Sequence, residues 1–376
     1  MIIAGEASGD TLGAELVRSL RSEESKEKPP VFIGAGGPKL AAAGVELLFD
    51  LAVHSVVGIW EVVKNYPKFK GLFDQLIDLA FREKPDCIIL IDYPGFNLRF
   101  ARAIRKKLIT SPDPGWKPKI VYYVSPQIWA WHSSRVHQIS QDMDLLLAIF
   151  PFEKQWYQER VPNFRVEFVG HPLIDRYASR ADEQGEKRYL LLLPGSRQRE
   201  LNKHLPVMIP AARRIQEEFG LPVRLLLADE KLAPIVAPFQ ESWPELEVTR
   251  GALDKAMTEA KVAIASSGTV TMECAYFGLP TVVIYKTSWS TYQLGKRFIK
   301  VRFIAMPNLL AQKEIFPELI QDDANADKIA EATRRFLKDP DLRAKTEREL
   351  AQVIQSLGST GASDRGASAI LSLFNA

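Results

Sequence analysis

The chain has 376 residues, of which 46% are hydrophobic and 25% are charged, with a net charge of +3. This length and composition predict two folded domains and exclude an intrinsically disordered chain. A net charge of +3 argues against nucleic-acid binding, and no segment has the roughly 20 apolar residues of a membrane-spanning helix. A secreted disulfide scaffold would use many more than two cysteines, so we expect Cys87 and Cys274 to be reduced thiols in a cytoplasmic protein.

Short apolar runs alternate with helical patterns along the whole chain. The helical pattern of residues 11–21 places Leu12, Leu16 and Leu20 on one face. The predicted strands of the first half begin at Val31, Cys87, Ile120, Leu145 and Val166, and those of the second half at Tyr189, Val223, Val262 and Thr281. Because these runs are apolar throughout, they favour doubly wound α/β domains with parallel sheets covered on both faces.

A polar stretch at residues 176–187 predicts a linker between two Rossmann-like domains that face each other across a cleft. We expect the first domain to span residues 1–175 and the second residues 188–344, with helices from residues 345–376 returning to the first. Since ligands of open α/β sheets bind outside the carboxyl ends of the strands, the polar residues that follow each strand are the candidate site residues.

Two glycine-containing turns follow strands in the first half. Gly5-Glu-Ala-Ser-Gly-Asp10 opens a helix in which Ser8 or Asp10 could be the cap, and Gly34-Ala-Gly-Gly-Pro38 follows the next strand. Either turn is compatible with phosphate binding or with a plain strand-to-helix connection, because neither has the full G-x-G-x-x-G spacing.

A carboxylate, Asp92, follows the apolar run that begins at Cys87, and Pro94 and Gly95 fix the turn after it. At a strand end it could be a general base whose pKa is raised by apolar surroundings. It could equally be the N-cap of the following helix. The sequence leaves both interpretations open.

Two turns of the second half are candidate anion sites. In Leu193-Pro-Gly-Ser-Arg-Gln-Arg-Glu200, free backbone N–H groups and Arg197 predict contacts to a phosphate oxygen. In Ser266-Ser-Gly-Thr-Val-Thr-Met-Glu273, the helix start near Gly268 predicts a diphosphate site, and Glu273 could accept hydrogen bonds from ribose hydroxyls. The alternatives are a solvated Arg197 and a surface Glu273 favoured by the helix dipole.

Other polar patterns do not predict a site. Asp142 and Asp144 precede a strand instead of following one, and His132 and His137 are five residues apart, so we expect no metal ion and no cofactor. No serine lies in a G-x-S-x-G nucleophile elbow.

Taken in chain order, the motifs of this sequence resemble those of the lipid-A-disaccharide synthase family over nearly the whole chain. The matching strings are Gly5-Glu-Ala-Ser-Gly-Asp10, Gly36-Gly-Pro38, Val57-Gly-Ile-Trp-Glu-Val62, Asp92-Tyr-Pro-Gly-Phe-Asn97, Tyr123-Val-Ser-Pro-Gln-Ile-Trp-Ala-Trp131, Pro151-Phe-Glu-Lys154, Gly170-His-Pro172, Leu193-Pro-Gly-Ser-Arg197, Ser267-Gly-Thr269, Glu273-Cys274 and Pro307-Asn-Leu-Leu310. The resemblance implies an inverting glycosyltransferase with two Rossmann-like domains (GT-B). It would transfer 2,3-diacylglucosamine from UDP to the 6-hydroxyl of 2,3-diacylglucosamine 1-phosphate and release UDP.

The resemblance also implies residue roles. Asp92 would be the general base, and Arg197 and Asn308 would be essential for activity. The expected UDP-sugar contacts are Ser8, Gly9, Gly195, Ser196, Ser267, Gly268, Thr269 and Glu273. Many family members carry Asp where this chain has Gly95, and a catalytic role for that second acid would weaken the assignment to Asp92.

Because both substrates carry acyl chains, we expect a peripheral protein at the cytoplasmic face of the inner membrane. The basic and aromatic segments 59–81 and 94–119 could contact anionic lipid, or they could be helices packed on a sheet with their lysines in water. The last helical stretch, residues 367–373, could pack on the first domain or exchange between the subunits of a homodimer.

Two other functions compete with this one. A UDP-sugar epimerase of the same fold, or another lipid-linked sugar transferase, would share the Gly268–Glu273 region but should lack Ser125-Pro-Gln-Ile-Trp-Ala-Trp131. A non-catalytic nucleotide-sugar scaffold should have lost Asp92 or Arg197, and both are present.

Overall fold

The computed structural model describes residues 1–23, 30–50, 66–111, 113, 115–180, 185–287 and 301–375. These residues form two compact units, one of Met1–Asp175 with Leu357–Ala376 and one of Arg176–Ser356. Each unit is built around its own parallel sheet with helices. The predicted fold class of two doubly wound α/β domains is therefore confirmed.

The first unit contains a seven-stranded sheet in the order β3-β2-β1-β4-β5-β6-β7, with every pair parallel. Its strands are β1 Ile2–Ala4, β2 Ile33–Gly36, β3 Glu46–Asp50, β4 Cys87–Ile91, β5 Lys119–Tyr123, β6 Leu145–Ala148 and β7 Val166–Phe168. The strand order reverses between β1 and β4, which is the switch point where ligands bind in such sheets. The residues after Ala4 and Ile91 therefore lie at the expected site.

Helices cover the first sheet because its central strands are apolar on both faces; Ile2, Ile3 and Leu90 are fully buried. The helices are Ala7–Glu23, Pro38–Ala42, Tyr66–Glu83, Pro94–Thr110, Ile128–Trp131, Val136–Asp142, Pro151–Gln158, Pro172–Tyr177 and Ala362–Leu371. Four of them begin at a proline, which suits the first turn because proline has no N–H to leave unpaired.

The C-terminal helix Ala362–Leu371 packs on the helix Ala7–Glu23 of the same chain. A Cβ at Gly366 would lie 3.4 Å from Cδ1 of Leu16. Asp175 accepts hydrogen bonds from the N–H groups of Gly361 and Ala362 at the start of this helix. The chain therefore returns to its own first unit, and exchange between subunits stays a prediction.

The second unit contains a six-stranded parallel sheet in the order β10-β9-β8-β11-β12-β13, which reverses between β8 and β11. Its strands are β8 Tyr189–Leu193, β9 Val223–Leu227, β10 Glu247–Arg250, β11 Ala260–Ser266, β12 Thr281–Tyr285 and β13 Glu318–Ile320. Its helices are Gln198–Phe219, Ala233–Ser242, Leu253–Glu259, Val270–Tyr276, Met306–Ala311, Ala326–Lys338 and Pro340–Ser356.

The unit boundaries differ from the predicted ones at two places. The helix Pro340–Ser356 packs on three helices of the second unit, so the chain rejoins the first unit at Leu357 and not at residue 345. The second unit begins at Arg176, inside the stretch expected to be a linker. None of the helices in the described ranges combines the length and apolar character that a bilayer crossing requires.

Candidate active site

In the first unit, the turns after β1 and β4 meet because these strands are neighbours, with Ala4 paired to Ile91. The ring of Tyr93 packs directly on Gly5, where an added Cβ would lie 2.2 Å from Cδ1 of the tyrosine. Gly5 therefore permits a close approach of the two turns that any other residue would block.

Asp92 lies in the turn after β4 in a left-handed backbone conformation, with φ of 46°, and Tyr93 follows with φ of 49°. The helix Pro94–Thr110 has Tyr93 as its N-cap, with no side-chain capping bond. Asp92 is therefore not the helix cap, which rules out one of the two interpretations from the sequence. Consecutive left-handed non-glycine residues cost on the order of 1–3 kcal/mol each and are typical of functional sites.

The environment of the half-buried Asp92 makes its carboxylate a stronger base than usual. Burial and the nearby carboxylate of Glu6 raise the pKa of Asp92 to about 6, although a hydrogen bond from the backbone N–H of Tyr93 opposes the rise. A carboxylate with this pKa is mostly ionised at neutral pH and can accept a proton from a hydroxyl group.

Two buried side chains hold the backbone of Asp92 in place. The hydroxyl of Tyr122 donates to the carbonyl oxygen of Asp92 at 2.6 Å, and Nδ2 of Asn97 donates to the same oxygen at 2.8 Å and to that of Ile91 at 3.1 Å. These bonds stabilise the strained backbone conformation, so Tyr122 and Asn97 both position Asp92.

We expect Tyr122→Phe to lower kcat by about 5-fold to 10-fold, because it removes one hydrogen bond worth roughly 1 kcal/mol from the strained turn while Asn97 still donates. Steady-state kinetics on the purified variant measure the effect. Tyr189→Phe is the control, since it removes the hydroxyl of another buried tyrosine, which donates to the carbonyl of Ala256. Equal kcat values for wild type and Tyr122→Phe would contradict the positioning role.

The two glycine-containing turns of the first unit are joined by Asp10. Its buried carboxylate accepts hydrogen bonds from the N–H groups of Gly37 at 2.8 Å, Lys39 at 3.0 Å and Leu40 at 3.0 Å. The amides of Gly37 and of the first turn of the following helix are therefore used within the protein, which disfavours phosphate binding there. Ser8 is exposed at the start of the helix Ala7–Glu23, and Gly9 beside it is buried.

In the second unit, the turn after β8 is already bonded to a carboxylate. Oε2 of Glu200 accepts from the N–H groups of Ser196 at 2.9 Å and Arg197 at 3.3 Å, and Oε1 lies 3.5 Å from Nη1 of Arg197. The expectation of free backbone N–H groups at this turn is therefore wrong. The side chain of Arg197 is 46% exposed.

His204 supports the same turn from the protein interior. Its Nδ1 lies 2.7 Å from the carbonyl oxygen of Pro194, and its Nε2 accepts from the N–H of Lys286 at 3.2 Å. Burial lowers the pKa of His204, which favours the neutral ring that these two bonds require. The histidine therefore connects the turn after β8 to the residues that follow β12.

The turn after β11 leads into the short helix Val270–Tyr276, with Gly268 and Thr269 exposed. The hydroxyl of Ser267 donates to the carbonyl oxygen of Ile304 at 3.2 Å. This bond fixes the turn from one side. The exposed residues thus lie at the switch point between β8 and β11, as Arg197 does.

Glu273 is buried, not on the surface, which rules out the alternative of a solvated carboxylate near the helix dipole. Its Oε1 accepts from the hydroxyl of Tyr177 at 3.2 Å and lies 3.9 Å from Nη1 of Arg176. Burial raises the pKa of Glu273, while Arg176 and Tyr177 lower it.

Asn308, which the resemblance implies is essential for activity, lies in the interior of the second unit. Its Nδ2 donates to the carbonyl oxygen of Phe316 at 2.7 Å and to Oε1 of Glu318 at 2.8 Å, and its Oδ1 accepts from the N–H groups of Ile315 and Phe316, both at 2.8 Å. This fully buried side chain uses all its hydrogen-bonding capacity within the protein. Asn308 therefore holds together the segment that leads into β13, and its role in activity stays a prediction.

Several other features of the sequence have structural explanations. Asp144 accepts hydrogen bonds from Arg105 and from the N–H of Ile120. Cys87 and Cys274 are free thiols, and burial raises the pKa of each to about 12. Across the described ranges, no three His, Cys, Asp or Glu side chains are grouped to hold a metal ion. The motif at residues 57–62 lies outside the described residues.

Comparison with solved structures places this geometry in a class. The Staphylococcus aureus MnaA–UDP structure has a TM-score of 0.65 at 14% identity and covers 100% of this chain and 96% of its own. A UDP-GlcNAc 2-epimerase from Neisseria meningitidis bound to UDP-GlcNAc has a TM-score of 0.63 at 12% identity. The match covers 99% of this chain and 98% of the epimerase chain. With the two parallel sheets, these matches show that the chain has the GT-B fold.

Sequence comparison then gives the family. The model for lipid-A-disaccharide synthetase matches residues 1–372. Lipid-A-disaccharide synthase from Geobacter sulfurreducens is 40% identical over 99% of this chain and 96% of that protein. Lipid-A-disaccharide synthase 1 from Legionella pneumophila strain Paris is 36% identical over 96% of this chain and 94% of that protein. The chain belongs to the lipid-A-disaccharide synthase family, and it is a glycosyltransferase that moves diacylglucosamine from UDP in lipid A synthesis.

Proposed function

We propose that Asp92 is the general base of a single inverting displacement at the anomeric carbon of UDP-2,3-diacylglucosamine. The 6-hydroxyl oxygen of 2,3-diacylglucosamine 1-phosphate bonds to that carbon while the bond to the UDP diphosphate breaks. The hydroxyl proton passes to Asp92, and UDP leaves. The observation that carries this proposal is a half-buried carboxylate at the switch point, with a pKa raised to about 6 and no capping role.

The donor nucleotide belongs, in this proposal, to the second unit. The exposed guanidinium of Arg197 and the turn at Gly268 and Thr269 stabilise the negative charge that develops on the leaving diphosphate. Glu273 accepts hydrogen bonds from the ribose hydroxyls. Because Glu200 already occupies the N–H groups of Ser196 and Arg197, Arg197 acts through its side chain.

Ser8 and Gly9 complete the proposed set of donor contacts from the first unit. Their turn follows β1, next to the turn that carries Asp92. Ser267 supports the second-unit turn through its bond to Ile304 and belongs to the same proposed set.

The test is product analysis with UDP-diacylglucosamine and diacylglucosamine 1-phosphate by mass spectrometry. We expect equal amounts of UDP and the acylated disaccharide 1-phosphate. Conversion of the UDP-sugar alone to an isomer would indicate an epimerase instead. Binding of the UDP-sugar without turnover would indicate a scaffold.

We also propose that the protein works as a peripheral protein at the cytoplasmic face of the inner membrane. Arg99, Arg102 and Lys106 are exposed on the helix Pro94–Thr110, and their spacing of three and four residues puts them on one face. Other basic residues of this segment have partners, since Arg105 pairs with Asp144 and Lys107 pairs with Asp78. The residues 59–65 lie outside the described part of the chain.

We expect the protein to float with anionic phospholipid vesicles at low salt and less so at high salt. Changing Arg99, Arg102 and Lys106 together to Gln should lower the partition coefficient by on the order of 100-fold, at about 1 kcal/mol for each charge. The matched control changes three exposed lysines of the second unit to Gln, which should have little effect: Lys231, Lys255 and Lys328. Absence of binding at both salt concentrations would contradict the membrane proposal.

A further inference from the structure

One carboxylate binds three donors at the turn after β8. The N–H groups of Ser196 and Arg197 both donate to Oε2 of Glu200, and the guanidinium of Arg197 lies 3.5 Å from Oε1. Gly195, with φ of 124°, leaves the room for this carboxylate, because an added Cβ would lie 2.2 Å from Oε2. Two backbone amides and an arginine are the groups that usually bind a phosphate.

Part of this arrangement is an ordinary helix cap. Glu200 is the third residue of the helix Gln198–Phe219, and its bond to the N–H of Arg197 completes a capping box. A capping box does not require the bond to Ser196 or the pairing with the guanidinium. Through these two contacts Glu200 also holds the turn before the helix and the side chain of Arg197.

The turn is also fixed from its buried side. His204 contacts the carbonyl oxygen of Pro194 at 2.7 Å, one residue before Gly195. With the backbone held on one side by His204 and on the other by Glu200, the guanidinium of Arg197 is attached to a rigid turn. A preorganised cation stabilises developing charge better than one that must reorient during the reaction.

From these contacts we infer that Glu200 is a positioning residue that orients the guanidinium of Arg197 toward the departing diphosphate. The inference rests on the proposed function, because it assumes that Arg197 stabilises the leaving group. Glu200 itself touches neither substrate. Its effect on turnover should therefore depend on the presence of Arg197.

A double-mutant cycle with Glu200→Gln and Arg197→Ala tests this dependence. Glutamine keeps the capping-box acceptor but loses the charge that pairs with the guanidinium. We expect Glu200→Gln to lower kcat by about 10-fold to 100-fold, as displaced catalytic groups do. The KM for the UDP-sugar should change by less than about twofold, and Glu200→Gln should have no further effect in the Arg197→Ala background.

Asn325→Ala is the control for helix-end stability, because Asn325 caps the helix Ala326–Lys338 of the same unit through the N–H of Lys328. It should leave kcat unchanged. Additive losses in the double variant, or tighter binding of UDP by Glu200→Gln, would overturn the inference; the second result would mean that the carboxylate only competes with the diphosphate. Wild-type turnover by Arg197→Ala would instead overturn the proposed function of Arg197.

Discussion

Replacement of Asp92 by asparagine is expected to lower kcat by about 10²–10⁴-fold while UDP still binds. Asparagine keeps the size of the side chain and leaves the bonds from Tyr122 and Asn97 to the backbone carbonyl in place. It cannot accept the proton of the acceptor hydroxyl. Single-turnover assays with mass-spectrometric detection measure the rate, and calorimetry measures UDP binding.

The control for Asp92→Asn is Asp113→Asn. Asp113 precedes β5, at the amino end of the sheet, and pairs with Lys84 at 2.6 Å. This variant should turn over at the wild-type rate. Near-normal turnover by Asp92→Asn would remove Asp92 from the mechanism. Since this chain has Gly95 in place of the second acid, the base would then have to be another residue.

Arg197→Ala is expected to lower kcat by about 10²–10³-fold, because the leaving diphosphate loses the cation that stabilises it in the transition state. Arg197→Lys should recover only part of this activity, since an ammonium group lacks the planar, bidentate geometry of a guanidinium. The measurements are kcat and KM for the UDP-sugar in both variants.

The control for Arg197 is Arg214→Ala. Arg214 lies on the helix Gln198–Phe219, which follows Arg197, and pairs with Asp327. Its loss should not change turnover. If the kcat of Arg197→Ala were within about twofold of the wild-type value, Arg197 would not stabilise the leaving diphosphate in the transition state.

The central strands could be predicted from sequence because they are buried on both faces and therefore read as continuous apolar runs. Strands β4, β5, β8, β11 and β12 are of this kind. Strands β3, β10 and β13 were not predicted. They lie at the edges of their sheets, where partly exposed residues interrupt the apolar pattern.

The location of Asp92 could also be predicted, because a polar residue directly after a buried strand must lie at the carboxyl end of the sheet. The bond from Tyr122 to its carbonyl oxygen could not, since it joins residues 30 positions apart. Glu200 lies three residues after Arg197, which is the spacing of a capping box. This spacing indicates that the carboxylate of Glu200 accepts a hydrogen bond from the N–H of Arg197. No local signal in the sequence shows that Asn308 is saturated by residues 315–318.

The pH dependence of kcat/KM in wild type and in Glu6→Gln tests the role of Asp92 most directly. Because burial and Glu6 raise the pKa of Asp92 to about 6, activity should be lost as the pH falls through that value. The phosphate of the acceptor also titrates near pH 6, so the position of the acid limb alone does not identify the group. Removing the charge of Glu6 should move the limb to lower pH if it belongs to Asp92. An acid limb at the same pH in both proteins would contradict Asp92 as the base.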